Sequence, residues 1–249
     1  MTSILPPPVP ERAALLDGLR ALIARHEKAR PPAGAAVPLA AEIDAVLPAA
    51  GLARGAIHEV VADGAGPGTA FCALILGRAG GPAIWIEDRP ELYPHGMLAC
   101  GLDPAVLIVV RAGGVDALWA AEEALRCPAV TAVVAVLPRL DLVASRRLQL
   151  AAETGNTLGL ILRVGQATPS PRRAAAGRAC PASAPSAART RWRILPLPGA
   201  PGPAHLVEAP QWRIELLQAR GGRPGGWDVA LHGGDLTVLA GCAQAAARV

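Results

Sequence analysis

The stretch Gly51–Arg78 (GLARGAIHEVVADGAGPGTAFCALILGR) holds the residues whose types and spacing come nearest to recognisable chemistry. It reads as a short β-branched strand (Ile57–Val61), a glycine-rich turn and an apolar helix beginning at Thr69. Strand, glycine-rich loop and helix together form the layout of a phosphate-binding P-loop, whose backbone N–H groups and helix N-terminus hold an anion. The working motif is G-x-x-x-x-G-K-[ST]. With Thr69 on its last position, Gly68 falls on the lysine, Pro67 on the second glycine and Ala62 on the first. Proline offers no N–H to a phosphate, and Lys28 is the sole lysine of the chain, so no neighbour supplies the missing ammonium. What remains is the backbone of Gly64, Gly66 and Gly68 with the Thr69 hydroxyl, a degenerate cradle expected to hold no nucleotide cofactor.

Phosphoryl transfer also needs an Asp at the end of a buried strand for magnesium and a carboxylate that activates water. The strand in the right place, Val130–Leu137, ends in Leu137-Pro138, and Asp141 comes four residues later. Glu87 and Asp88 follow another strand and read as loop carboxylates. A site lacking both cations forgoes several kcal/mol of transition-state stabilisation, so no catalysis and no catalytic residue is expected. Other chemistries are also missing their parts. There is no G-x-S-x-G elbow, the five histidines show no H-x-x-x-H pair, and His58 inside a strand reads as a satisfied core residue. The five cysteines form no C-x-x-C pair, which argues against zinc and a disulfide framework and fits a reducing cytoplasm.

Those residues must be positioned by a core that is 52% hydrophobic but only 3% aromatic, hence built from Ala, Val and Leu in a chain of 249 residues. Arginine outnumbers lysine 23 to 1, a bias of the kind a GC-rich genome produces. The net charge is +4, and the excess is concentrated: Arg163–Arg193 holds seven arginines and no acid. Pro6, Pro7 and Pro8 stand where a secretory signal would need a basic and then an apolar region. No apolar run approaches the ~18 residues of a membrane helix, so no membrane contact is expected.

Pro10–Arg30 carries Leu15, Leu19, Leu22 and Ile23 at helical spacing, and a second short helix over Leu39, Ile43, Val46 and Leu47 leads into Gly51. Beyond the first strand, apolar strands at Ala83–Glu87, Leu107–Val110, Val130–Val136 and Leu158–Leu162 alternate with helices at Val115–Arg126 and Leu140–Thr154. This is the pattern of an α/β fold, with a mostly parallel sheet covered by helices on both faces. Gly165–Arg189 breaks it with four prolines, no aromatic residue and many Ala and Ser, and reads as a mobile basic loop. Strands resume at Trp192–Leu195, Trp212–Leu216 and Trp227–Leu231 as an antiparallel C-terminal extension. The expected division is an N-terminal helical segment (1–50), a core (51–235) and an apolar tail (236–249).

Gly51-Leu52-Ala53-Arg54-Gly55-Ala56-Ile57-His58-Glu59-Val60, Gly81-Pro82-Ala83-Ile84-Trp85-Ile86 and Gly101-Leu102-Asp103-Pro104 occur in an order that resembles the ImuA family. Ser145-Arg146-Arg147-Leu148-Gln149-Leu150, the Ala188-Arg189-Thr190-Arg191-Trp192 pattern and Trp212-Arg213-Ile214-Glu215-Leu216-Leu217 continue the likeness, which covers about Leu39–Leu231. The resemblance implies a RecA-like fold without ATPase activity, working in SOS-induced translesion synthesis. It implies ImuB, an error-prone DNA polymerase III alpha-type subunit and RecA as partners, with DNA as a further contact. It also implies that the loop before Thr190 sits where RecA touches DNA, so Arg172, Arg173, Arg178, Arg189 and Arg191 become candidate DNA-binding residues. Two other readings stand beside it: a divergent P-loop ATPase completed by a cation from a partner, and a SulA-type inhibitor of cell division.

Overall fold

The computed structural model describes residues 36–62, 64–90, 92–164, 185–198 and 209–239. The expected Pro10–Arg30 helix lies outside them. The apolar runs form β1 (Ala56–Ala62), β2 (Ala83–Glu87), β3 (Leu107–Arg111), β4 (Ala132–Val136) and β5 (Leu158–Val164). Between them lie α2 (Ala65–Ala79), α3 (Pro94–Ala99), α4 (Gly114–Arg126) and α5 (Leu142–Gly155), while α1 (Ala41–Asp44) precedes β1. The short α3 was not expected; Pro94 starts it at a first-turn position where proline is tolerated. Asp141 caps α5, accepting the Ala144 N–H at 2.7 Å, and Asn156 ends it in the left-handed conformation.

One sheet takes all the described strands, in the order β3-β2-β4-β5-β1-β6-β7-β8-β9, with β6 (Thr190–Pro196), β7 (Gln211–Ala219), β8 (Gly225–His232) and β9 (Asp235–Val238) at its far side. Strands β3 through β6 in that order are parallel, and β7, β8 and β9 run antiparallel. The architecture is a RecA-like α/β fold with helices on both faces and an antiparallel extension. The tail expected to begin free at Leu236 starts instead within the sheet, because Leu236 pairs with Leu231 and is buried.

Strand alternation sends successive side chains to opposite cores. On one face Val60, Trp85, Leu160, Trp192, Ile214 and Val229 meet α1, α2 and α3. On the other, Ile57, Ile86, Val133 and Ile161 meet α4 and α5. Helices α4 and α5 are tied by the buried Glu122 carboxylate, which pairs with both Arg126 and Arg147. Trp192 is the anchor of the first core: it is fully buried, its ring lies 6.0 Å from Phe71, and its indole N–H donates to Thr190 Oγ1 at 2.6 Å. Trp192→Ala is expected to remove about 4 kcal/mol of stability. Thermal unfolding should show this as a fall of roughly 10 °C in Tm.

Candidate functional site

In an open α/β sheet, ligands are bound outside the carboxyl ends of the strands, which here are the ends marked by Ala62, Glu87, Val136 and Val164. At the end of β1 the structure departs from the expected loop. The helix begins at Ala65, four residues ahead of Thr69, leaving only positions 63 and 64 between strand and helix. Gly64 makes the turn with φ 90°, a conformation open to glycine at little strain. Pro67 then fits the first helical turn, where its missing N–H is no loss. Gly66, Gly68 and Thr69 are therefore helical residues. From Gly68 onward the amides are turned to intrahelical carbonyls, so the free donors at this end shrink to those of Gly64, Ala65 and Gly66.

Gly68 is the residue that decides what this end can do. A Cβ there would lie 2.6 Å from Ala62 Cβ and 2.8 Å from Leu162 Cδ1, so the helix rests directly on β1 and β5. The position matched to the P-loop lysine has no room for any side chain. At the end of β4, Leu137 is buried and donates its N–H to the Leu162 carbonyl at 3.0 Å, where a magnesium-binding Asp would be needed. Asp141 is occupied as the cap of α5, and Glu87 Oε2 accepts the Trp85 indole N–H at 3.1 Å. Among the described residues no group of three His, Cys, Asp or Glu side chains is placed to hold a metal ion.

The polar residues that are held most firmly lie inside β1. Glu59 is buried and receives the Arg191 Nε–H at 2.8 Å, with Arg163 Nη1 at 3.8 Å. On the opposite face His58 bridges two hydrogen bonds. Its Nε2 donates to the Ala53 carbonyl at 2.9 Å, and its Nδ1 accepts from Thr190 Oγ1 at 2.7 Å. The tautomer follows from the partners, since a carbonyl only accepts and the Thr190 oxygen already receives the Trp192 N–H. Burial pushes the His58 pKa down from 6.5 to about 4; the bond to Ala53 opposes this and the charge of Arg189 adds to it.

With this geometry in place, no protein-family profile matches the chain. It is 39% identical over 200 residues to the protein ImuA of Caulobacter vibrioides, in each of two strains of that bacterium. The aligned part covers 74% of this chain and 78% of the relative. The chain belongs to the ImuA family.

For an ImuA family member, the arginines singled out as DNA contacts divide into three groups. Arg172, Arg173 and Arg178 lie outside the described residues. Arg189 is exposed, just ahead of β6, with its N–H donated to the Ile57 carbonyl at 2.8 Å. Arg191 must be withdrawn: it is 4% exposed and its guanidinium is held by Glu59, so it cannot reach a phosphate. Glu59 itself was missed as a structural centre. The signal was an acid beside His58 inside a strand apolar at every other position, matched by arginines inside two other strands.

Two expectations follow from the geometry of this site. Gly68→Ala should destabilise the protein by about 1–3 kcal/mol through overpacking, whereas Gly66→Ala, with nothing within 4 Å of its Cβ, should be close to neutral in denaturant unfolding. The second concerns pH. Because His58 binds its proton only near pH 4 when folded, the unfolded chain holds more protons between 4 and 6.5, and stability falls as pH drops through that window. The loss reaches about 3 kcal/mol at roughly 1.4 kcal/mol per pH unit. Unfolding midpoints should fall from pH 6.5 to 5 in the native chain and stay flat in His58→Gln.

Proposed function

We propose that this chain is a non-catalytic, RecA-like accessory protein of damage-induced translesion DNA synthesis. In this role it holds ImuB and an error-prone DNA polymerase III alpha-type subunit together in the cytoplasm, beside RecA on damaged DNA. The observation that carries the reading is Gly68. The lost lysine is no isolated substitution, because the helix has closed onto β1 and β5 over the space that a lysine stem would occupy. Leu137-Pro138 at the end of β4 removes the metal site independently. A RecA-like body that has given up both cations is suited to binding other molecules and not to splitting ATP.

Surface features support the same role. Trp119 is 63% exposed, whereas Trp85, Trp192, Trp212 and Trp227 are buried, and Val115, Val143 and Leu150 are exposed on the same pair of helices, α4 and α5. Exposed apolar groups gathered on neighbouring helices are typical of surfaces that proteins cover on assembly. No described helix is long and apolar enough to cross a membrane. For DNA, the candidates that remain are Arg172, Arg173, Arg178 and Arg189.

The test is direct. Purified chain mixed with magnesium and ATP is expected to release phosphate no faster than buffer, alone or with ImuB, while co-purifying with ImuB. Turnover by the chain alone would overturn the reading. Turnover only in the mixture would favour an ATPase completed by a partner's cation, and filamentation of overexpressing cells without ImuB binding would favour a division inhibitor.

A further inference from the structure

The hairpin that joins β7 to β8 packs back against the start of β6. Arg220 donates its N–H to the Arg189 carbonyl at 2.9 Å and its Nη2–H to the Ser186 carbonyl at 3.4 Å. One turn further, Arg223 donates its N–H to the Val46 carbonyl at 3.2 Å. Gly222 allows that approach, since a Cβ there would stand 2.7 Å from the same carbonyl oxygen. Three segments far apart in sequence are thus locked together by their backbones, and two of them present exposed arginines: Arg189 ahead of β6, and Arg220 and Arg223 on the hairpin.

These arginines differ from those within β5, β6 and β7. Arg163, Arg191, Arg193 and Arg213 all pair with carboxylates. No described carboxylate lies within ion-pair distance of Arg189, Arg220 or Arg223. The shallow depression between the first two is lined by Pro48, Ala49, Gly51 and His58, with no acid, and has room for about one water. It is too small to enclose a phosphate, so the cations line a rim and do not converge on a pocket. Such a rim suits a chain of phosphates passing over it. The depression offers no exposed aromatic ring for a base to stack on, so contact would be with the backbone and independent of base sequence.

The location is also distinctive. Thr190 pairs with His58 near the start of β1, so the rim lies at the amino ends of the parallel strands. The strand of seven residues separates it from the α2 N-terminus by roughly 20 Å.

Resting on the accessory role above, we infer that Arg189, Arg220 and Arg223 form a phosphodiester-binding rim that holds the DNA backbone at the amino-end edge of the sheet, away from the former nucleotide crevice. Arg220 and Arg223 thereby join the DNA-contacting set through the fold, although 30 residues or more of sequence separate them from Arg189. Anisotropy of labelled single- and double-stranded DNA, titrated with the full chain across salt concentrations, tests this. Arg220→Ala with Arg223→Ala should weaken binding about 10-fold at low salt and flatten the log–log salt slope by ~1.4 on single strands, at ~0.7 per lost phosphate contact. Arg223→Glu alone, which leaves the backbone bond to Val46 in place, should weaken binding at least as much as Arg223→Ala with no change in Tm. An unchanged slope in these variants, absence of DNA binding by the native chain, or tighter binding to RNA of the same sequence would overturn the inference. Because ImuB capture is measured separately, the accessory role stands or falls on its own result.

Discussion

A strand paired on both edges and covered on both faces ordinarily carries only apolar side chains, yet β1 places an imidazole and a carboxylate side by side at its centre. The two point to opposite cores, so no single neighbour residue can satisfy both. β6 supplies consecutive residues that do. Thr190 meets His58 on one face and Arg191 meets Glu59 on the other. A slip of one residue would turn Arg191 toward the imidazole and leave Glu59 without its nearest cation, and breaking a buried pair in this way costs about 3–5 kcal/mol. The polar pairs therefore set the register of β1 against β6, and through β6 the placement of the whole antiparallel extension.

The shape of the molecule is separate from the chemistry such a shape usually carries. The sheet order and helix placement are those of a nucleotide-binding body, but function resides in the site and not in the fold. Here the crevice end of β1 is closed by direct contact of Gly68 with Ala62 and Leu162. The most firmly held polar side chains, His58 and Glu59, lie instead in the interior, where they organise strands, and among the described residues no carboxylate pairs with the exposed Arg189, Arg220 and Arg223 at the opposite edge.

Much of the architecture was legible because buried parallel strands are continuous apolar runs. Ala83–Glu87 was read to the residue, and Leu107, Leu158 and Arg126 each mark an element boundary that the composition alone indicates. The start of α2 was misplaced because Gly64, Gly66, Pro67 and Gly68 carry strong loop signals. The structure uses them otherwise: Gly64 for the turn, Pro67 inside the first turn of the helix, Gly68 for close contact with the sheet. Arg191 illustrates the limit at the site. In a window of seven arginines, composition cannot distinguish Arg191, which faces a buried Glu59, from the exposed Arg189, since that depends on a strand pairing formed across more than a hundred residues.

The separation has a consequence for how the chain reaches its final form. His58 and Glu59 lie 132 positions ahead of the residues that complete them. On a ribosome, the first strand emerges with its helices and β2 through β5 long before Thr190 and Arg191 are made. Until then one edge of the central strand is unpaired, with a carboxylate and an imidazole exposed along it, and closing so distant a contact is slow. Such an intermediate presents an open strand edge to other chains. Nascent protein is thus most vulnerable to association, and most dependent on protection by chaperones, in the interval before β6 arrives.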